Sequence, residues 1–409
     1  MTRTGDAAGA SDVRAGTTAR EQLSLAEFAA EPFRIFFPLA ALIGVSGVLL
    51  WPLHFAGVVA DYPGQTHARI MAYGFFGGFI FGFLGTALPR MLSAKPLAIG
   101  EAILLLVVYL AMVGAYFLAK LAVGDMLVVL LLGCVMVIAF RRLSSRKDMP
   151  PPGFVLVPLA FACAIAGAVL GAFVPQSETS TFWMNLQKLL AYQGFVLLPI
   201  LGIGGFLLPR FFGLPTSHDF PESRTPPPGW MTRAAAAGAA GLLIVISFVL
   251  EAAGWFRAGP ALRFATTFTY LLAEIPVFKP MHSNNALAKS LRIAFALLIA
   301  GFFCVAIWPE YRVALLHLTL MGGFAVLTMT VATRVIFGHS GNLHRLTAPN
   351  RWLLIAVGLM LLAMATRISG DIWPKVLVSH YVYGAIIWTV AVVLWGAYVL
   401  PKVLVRDEE

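Results

Sequence analysis

Apolar residues fill this chain in runs of about 17 to 28 positions from Phe33 to Leu400, and the charges, prolines and glycines gather in the short breaks between them. A helix rises about 1.5 Å per residue, so each run is long enough to cross the hydrocarbon of a bilayer. Inside lipid every backbone N–H and C=O must find its partner within the protein, which selects helices and excludes an open sheet. The runs predict spanning helices near 33–53, 66–88, 96–118, 121–140, 153–174, 183–208, 231–250, 259–278, 290–308, 311–336, 350–367 and 374–400. The weakest is 259–278, where Thr266, Thr267, Thr269 and Glu274 interrupt the apolar pattern. The expected fold is all-α, a polytopic membrane bundle of about 12 transmembrane helices over 31–402. Residues 1–30 are expected as a disordered or interfacial tail, with a short helix over Glu21 to Ala30, and 403–409 as a second tail. The first thirty residues hold no apolar core of a cleavable signal.

Composition agrees with that pattern: 59% of residues are hydrophobic and only 12% charged, against roughly a quarter charged in soluble domains. The lipid bilayer is the implied partner. A net charge of +10 is dealt out in small groups between apolar runs, so it forms no nucleic-acid patch. Counted over alternate breaks, 21 basic residues fall on one side and 7 on the other, with Arg69 near the mouth of the second helix. The positive-inside bias then places both termini in the cytoplasm. Cys134, Cys163 and Cys304 all lie in apolar runs and form no CxxC pair, which argues against an iron–sulfur or structural zinc site.

The chain reads as internally repeated. Trp51-Pro52, Pro175 and Trp308-Pro309 each end a run on the outer side, and the next run ends on the inner side in Leu88-Pro89-Arg90, Leu208-Pro209-Arg210 and Thr333-Arg334. These arginines are 120 and 124 residues apart, about the length of four helices with their loops. Three four-helix repeats, 33–152, 153–288 and 289–402, fit that spacing. The plainer account is that proline and arginine are common at helix ends.

His218, His282, His339 and His344 fall in inner loops, whereas His54, His67, His317 and His380 fall on the outer side or in the outer half of the bundle. His317 and His380 each lie about six residues into their helices from the same side, so they can share a depth. His67 opens the second helix and His54 precedes it. Imidazole in lipid is costly unless its nitrogens are partnered, and it is a common ligand of haem iron and of copper. His54, His67, His317 and His380 are therefore candidate metal ligands; the plainer alternative for His317 and His380 is that they hydrogen-bond across helices. Gly74, Gly77, Gly78, Gly82 and Gly85 with Phe75, Phe76, Phe79, Phe81 and Phe83 make the second helix suited to close packing, against another helix or a macrocycle. Among the carboxylates near apolar runs (Asp61, Glu251, Glu274 and Asp371), Glu274 is a candidate proton relay, though such residues more often form structural pairs. Arg334, His339 and His344 make either an inner anion or propionate site or a solvated loop.

Pro32-Phe33-Arg34-Ile35-Phe36-Phe37, the run from His67 to Phe75, and Leu316-His317 with Gly322-Gly323 and Thr333-Arg334 through Gly338-His339-Ser340-Gly341 resemble the NnrS family of bacterial membrane proteins. The resemblance spans nearly the whole folded region. It implies a haem- and copper-containing inner-membrane protein of nitric oxide metabolism and resistance to nitrosative stress in denitrifying and other bacteria, with haem b and copper as cofactors. The family's second-helix motif is closer to His-x-His-Glu-Met; here His67 and Met71 match it, while Arg69 and Ile70 replace the second histidine and the glutamate. That puts a copper site there in doubt and leaves Arg69 as a candidate partner for a haem propionate. A wider likeness is to the catalytic subunit of haem–copper oxidases, where the second and tenth helices ligate the low-spin haem, which favours His67 and His317 as a pair with His380 beside them. The sixth and seventh helices hold no histidine for a binuclear centre; Gln187, Tyr192 and Gln193 are poor substitutes. Two classes of function follow: a haem protein that binds or reduces nitric oxide, with quinol or another membrane donor supplying electrons, or a transporter or trafficking factor for copper, haem or a small anion.

Overall fold

The computed structural model describes residues 23–174, 181–214, 223–275, 285–342, 344–347 and 350–406. His218, His282, the tail positions 1–22 and 407–409, and parts of several loops lie outside the described residues. Among those described there is no strand, and eleven helices are long and apolar enough to cross a membrane. They are α1 Phe33–Phe55, α2 Gly64–Met91, α3 Ile99–Phe117, α4 Leu121–Ser144, α5 Pro152–Phe173, α6 Thr181–Phe212, α7 Trp230–Ala252, α9 Ala286–Ile307, α10 Pro309–Gly338, α11 Arg351–Ile372 and α12 Pro374–Leu404. The twelfth, α8 Ala258–Glu274, is the element with the interrupted pattern, and it is shorter than the rest. Its polar residues turn inward: Arg263, Thr266 and Thr267 are buried where α8 packs on α7 and α9. The chain is a multi-pass all-α membrane protein.

Consecutive helices pack as neighbours and α12 returns to pack on α1, so the bundle closes on itself. On its surface Leu104, Val107, Phe140, Leu242, Leu362 and Val393 stay exposed, an apolar exterior that only lipid can cover. Trp183, Trp255, Trp308 and Trp373 are exposed at the end of the bundle where α1 joins α2, here called the outer end. They form the aromatic belt expected at a membrane interface. At the opposite, inner end, a short helix, Leu25–Ala30, is closed by a Ser24 and Glu27 capping box.

α2 and α6 are the most deeply buried spans. Tyr73 and Phe81 of α2 meet Phe195 of α6, and Phe76 of α2 meets Phe324 of α10. Each of these three helices contains a π-helical segment: Ile70–Phe76, Leu189–Gly194 and Leu318–Ala325. A π turn widens the helix by a residue and re-aims the side chains beside it, and such turns gather at functional sites. All three border one cavity.

Candidate functional site

The cavity occupies the outer half of the bundle, has a volume of about 590 Å³ and draws walls from α1, α2 and α5 to α12. That volume falls in the range of roughly 300–1,000 Å³ typical of small-molecule and cofactor pockets. Its apolar surface includes Trp51, Phe76, Phe302 and Trp388.

Two imidazoles face it, His67 from α2 and His317 from α10. His67 sits one turn before the first π segment, and its Nδ1 lies 3.0 Å from the Gly47 carbonyl of α1. Helices α1 and α2 approach closely here, since a Cβ on Gly47 would stand 2.5 Å from Ile70. His317 immediately precedes the third π segment, and its Nδ1 lies 2.8 Å from the carbonyl of Val313 one turn back. A carbonyl only accepts, so in both rings Nδ1–H is the donor and Nε2 keeps its lone pair. The rings are close enough to interact electrostatically with each other and with Arg367.

The other two candidate histidines stand apart from this pair. His54 is bonded through Nδ1 to the Val59 carbonyl at 3.0 Å, and His380 through Nδ1 to the Ser369 hydroxyl at 2.8 Å. Neither is among the residues lining the cavity. The shared depth expected for His317 and His380 does not bring them to one wall, because His380 faces α11, with its Cβ beside Gly370. The His380 bond crosses from α12 to α11, whereas that of His54 runs from the last turn of α1 to the α1–α2 connection.

Four arginines line the cavity, and three of them are each held by a carboxylate. Arg69 is buried against Asp125 of α4, with Nε and Nη2 both 2.9 Å from carboxylate oxygens, while Gln65 accepts from Nη1. The donors of Arg69 that sequence reasoning offered to a propionate are thus directed at Asp125 and Gln65. Gly171 of α5 leaves room for this pair, since a Cβ there would lie 2.4 Å from Asp125 Oδ2. Arg263 donates to Glu251, Gln193 and Ser247 and stacks on Phe248 and Phe302. Arg367 pairs with Asp371 at 2.9 Å and donates to the Tyr381 hydroxyl at 2.7 Å. Lys188 and Arg312 also line the cavity, and among the described residues neither has a carboxylate partner. The lining therefore carries an excess of positive charge suited to an anion.

Sequence reasoning missed Asp125 and the inward role of Arg263. A carboxylate inside an apolar run is the signal that marks Asp125, because an intramembrane ionisable residue needs a named partner. Glu274, the candidate proton relay, pairs with Arg233 at 2.8 Å. Among the described residues no three His, Cys, Asp or Glu side chains converge as a metal cluster. No curated protein matches the chain. The family described as NnrS protein matches residues 27–406, and the chain belongs to that family.

Proposed function

We propose that the outer cavity holds a b-type haem between His67 and His317, and that the chain is an inner-membrane haem protein of nitric oxide metabolism or nitrosative stress resistance. The observation that carries the reading is the matched pair of imidazoles on α2 and α10, each with Nδ1–H bonded to a backbone carbonyl and Nε2 left for a ligand. That outer hydrogen bond is the usual device for fixing a metal-ligating imidazole in tautomer and orientation. The rest of the donor set fits a haem as well. Trp388, Phe76 and Phe302 offer aromatic surface to a macrocycle, and Lys188 and Arg312, without a carboxylate partner among the described residues, offer cations to two propionates. Copper fits less well: beside the two imidazoles the lining offers only the thioethers of Met71, Met184 and Met321 as soft donors.

A haem held there by His67 and His317 would supply a one-electron couple and a site for a diatomic ligand. The chain itself does the positioning. Carbonyls of Gly47 and Val313 hold the two rings, the three Arg–carboxylate pairs stiffen the walls, and the apolar lining keeps water from the ring faces. Electrons would come from a quinol or another membrane donor.

Optical and electron paramagnetic resonance spectra test this reading. His317→Ala is expected to abolish or convert the haem spectrum while the protein still elutes as folded material, and His380→Ala to leave it unchanged. Full haem content with an unaltered resonance spectrum in His317→Ala would reject the assignment. A purified wild-type protein without haem would favour the transporter or trafficking class. Anaerobic nitric oxide added to the reduced protein should shift its bands; no shift at saturation would move the reading from nitric oxide chemistry to electron transfer.

A further inference from the structure

The inner end of the bundle carries a second cavity, of about 460 Å³, enclosed by the C-terminal ends of α2, α6 and α10. Arg90, Arg210 and Arg334 all line it. These are the three arginines spaced at 120- and 124-residue intervals along the sequence, and each central helix brings one guanidinium to this place. His339, which itself bonds Glu31 at 2.8 Å, joins them, and no carboxylate is among the described lining residues. Arg210 and Arg334 are close enough for their charges to oppose one another. Such a grouping costs energy unless something negative sits between the charges.

Ordinary roles account for part of this cluster. A cation in the last turn of a helix complements its macrodipole, and Arg90 also pairs with Glu31 at 2.5 Å. Arg334 is different. It is half-buried, and among the described residues it makes no hydrogen bond or ion pair, although a guanidinium has five donors to satisfy. The wall beside it is apolar, with Phe83, Ile203, Phe206 and Val335. Cations grouped over an apolar wall match a phosphodiester head attached to acyl chains better than a free ion.

We infer that this inner cavity is a binding site for a phosphate group, with an anionic phospholipid as its source. The inference is independent of haem in the outer cavity. Full-length protein, stripped of lipid in a non-ionic detergent, is titrated with short-chain phosphatidylglycerol, short-chain phosphatidylcholine and inorganic phosphate. Binding is read from the shift in thermal midpoint and converted to affinity. The wild type should prefer phosphatidylglycerol to phosphatidylcholine. Arg334→Gln should weaken phosphatidylglycerol by about five-fold, the scale of one cation near an anionic lipid. Arg351→Gln, which removes an exposed inner-end arginine outside the cavity, should leave affinity unchanged. Inorganic phosphate binding with the same dependence on Arg334, and no added preference for the lipid, would keep the site and make a free phosphate its occupant. Equal losses in both variants would reduce the effect to general surface charge and overturn the site, as would absence of binding by either phosphate source. If Arg334→Gln fails to elute as folded protein, Arg334→Lys and Arg210→Gln replace it; affinities equal to wild type in both would likewise overturn the site.

Discussion

At the scale of single residues, the buried ion pairs decide which substitutions matter. Arg69 and Asp125 keep 2% and 0% of their side-chain surface, so neither charge has water to fall back on. Removing one partner leaves the other buried and uncompensated, a loss of about 3–5 kcal/mol, whereas removing both can cost far less. Asp125→Asn should therefore lower the thermal midpoint more than the double variant Asp125→Asn with Arg69→Gln, measured on detergent-purified protein. An equal or smaller loss in the single variant would mean that the pair is not acting as a unit. Glu31 offers a pH test outside the membrane spans. Burial alone would raise its carboxyl, but a hydrogen bond and charge from His339 together with Arg34 outweigh burial and hold it at about 2, below its ordinary 4.5. A depressed folded value means stability that is present above the ordinary pKa and lost as pH falls toward the folded one. The difference in thermal midpoint between wild type and Glu31→Gln should shrink as pH falls from 4.5 toward 2. A difference that stays constant through that window would place the stabilisation elsewhere.

At the scale of helices, the number and order of spanning elements were legible because hydropathy over about twenty residues is set by the bilayer alone. Even the weak eighth helix was visible, and its irregular pattern has a cause: Arg263 and Thr267 face the interior, where Ser247 and Glu251 of α7 accept from Arg263. The three π segments were not legible, since one extra residue in a turn does not disturb average hydropathy. They nonetheless determine what His67, Gln193 and His317 face. Nor could the sequence say that Asp125 meets Arg69, because the two are 56 positions apart and helix rotation is fixed by packing. Gly171 shows how narrow that packing is. With its Cβ position 2.4 Å from Asp125 Oδ2 and 3.0 Å from Arg69 Nη2, Gly171→Ala must push the ion pair or the α5 backbone aside. The expected cost is about 1–3 kcal/mol, the range for overpacking a filled interior. Gly114→Ala, where a Cβ would meet nothing within 4 Å, serves as the neutral comparison in the same thermal assay.

At the scale of the whole molecule, the two cavities lie at opposite ends of the same three central helices, and each end has its own chemistry. Imidazoles and carboxylate-paired arginines, with Lys188 and Arg312, surround the outer cavity, while Arg90, Arg210, Arg334 and His339 line the inner one. Charge sets the expectation for which end faces which compartment: loops rich in lysine and arginine resist translocation, so the side to which the sequence assigns 21 of the basic residues is expected in the cytoplasm. The haem proposed for the outer cavity would then sit near the periplasmic face. Val58, in the α1–α2 connection, is 70% exposed, and Leu404, at the end of α12, is 66% exposed. With the native Cys134, Cys163 and Cys304 replaced by alanine, Val58→Cys should react with a membrane-impermeant thiol reagent in intact cells with a permeabilised outer membrane. Leu404→Cys should react only once the inner membrane is opened. The reverse pattern would invert the topology, and with it the side on which the outer cavity receives its ligand and the leaflet whose lipids can reach the arginines.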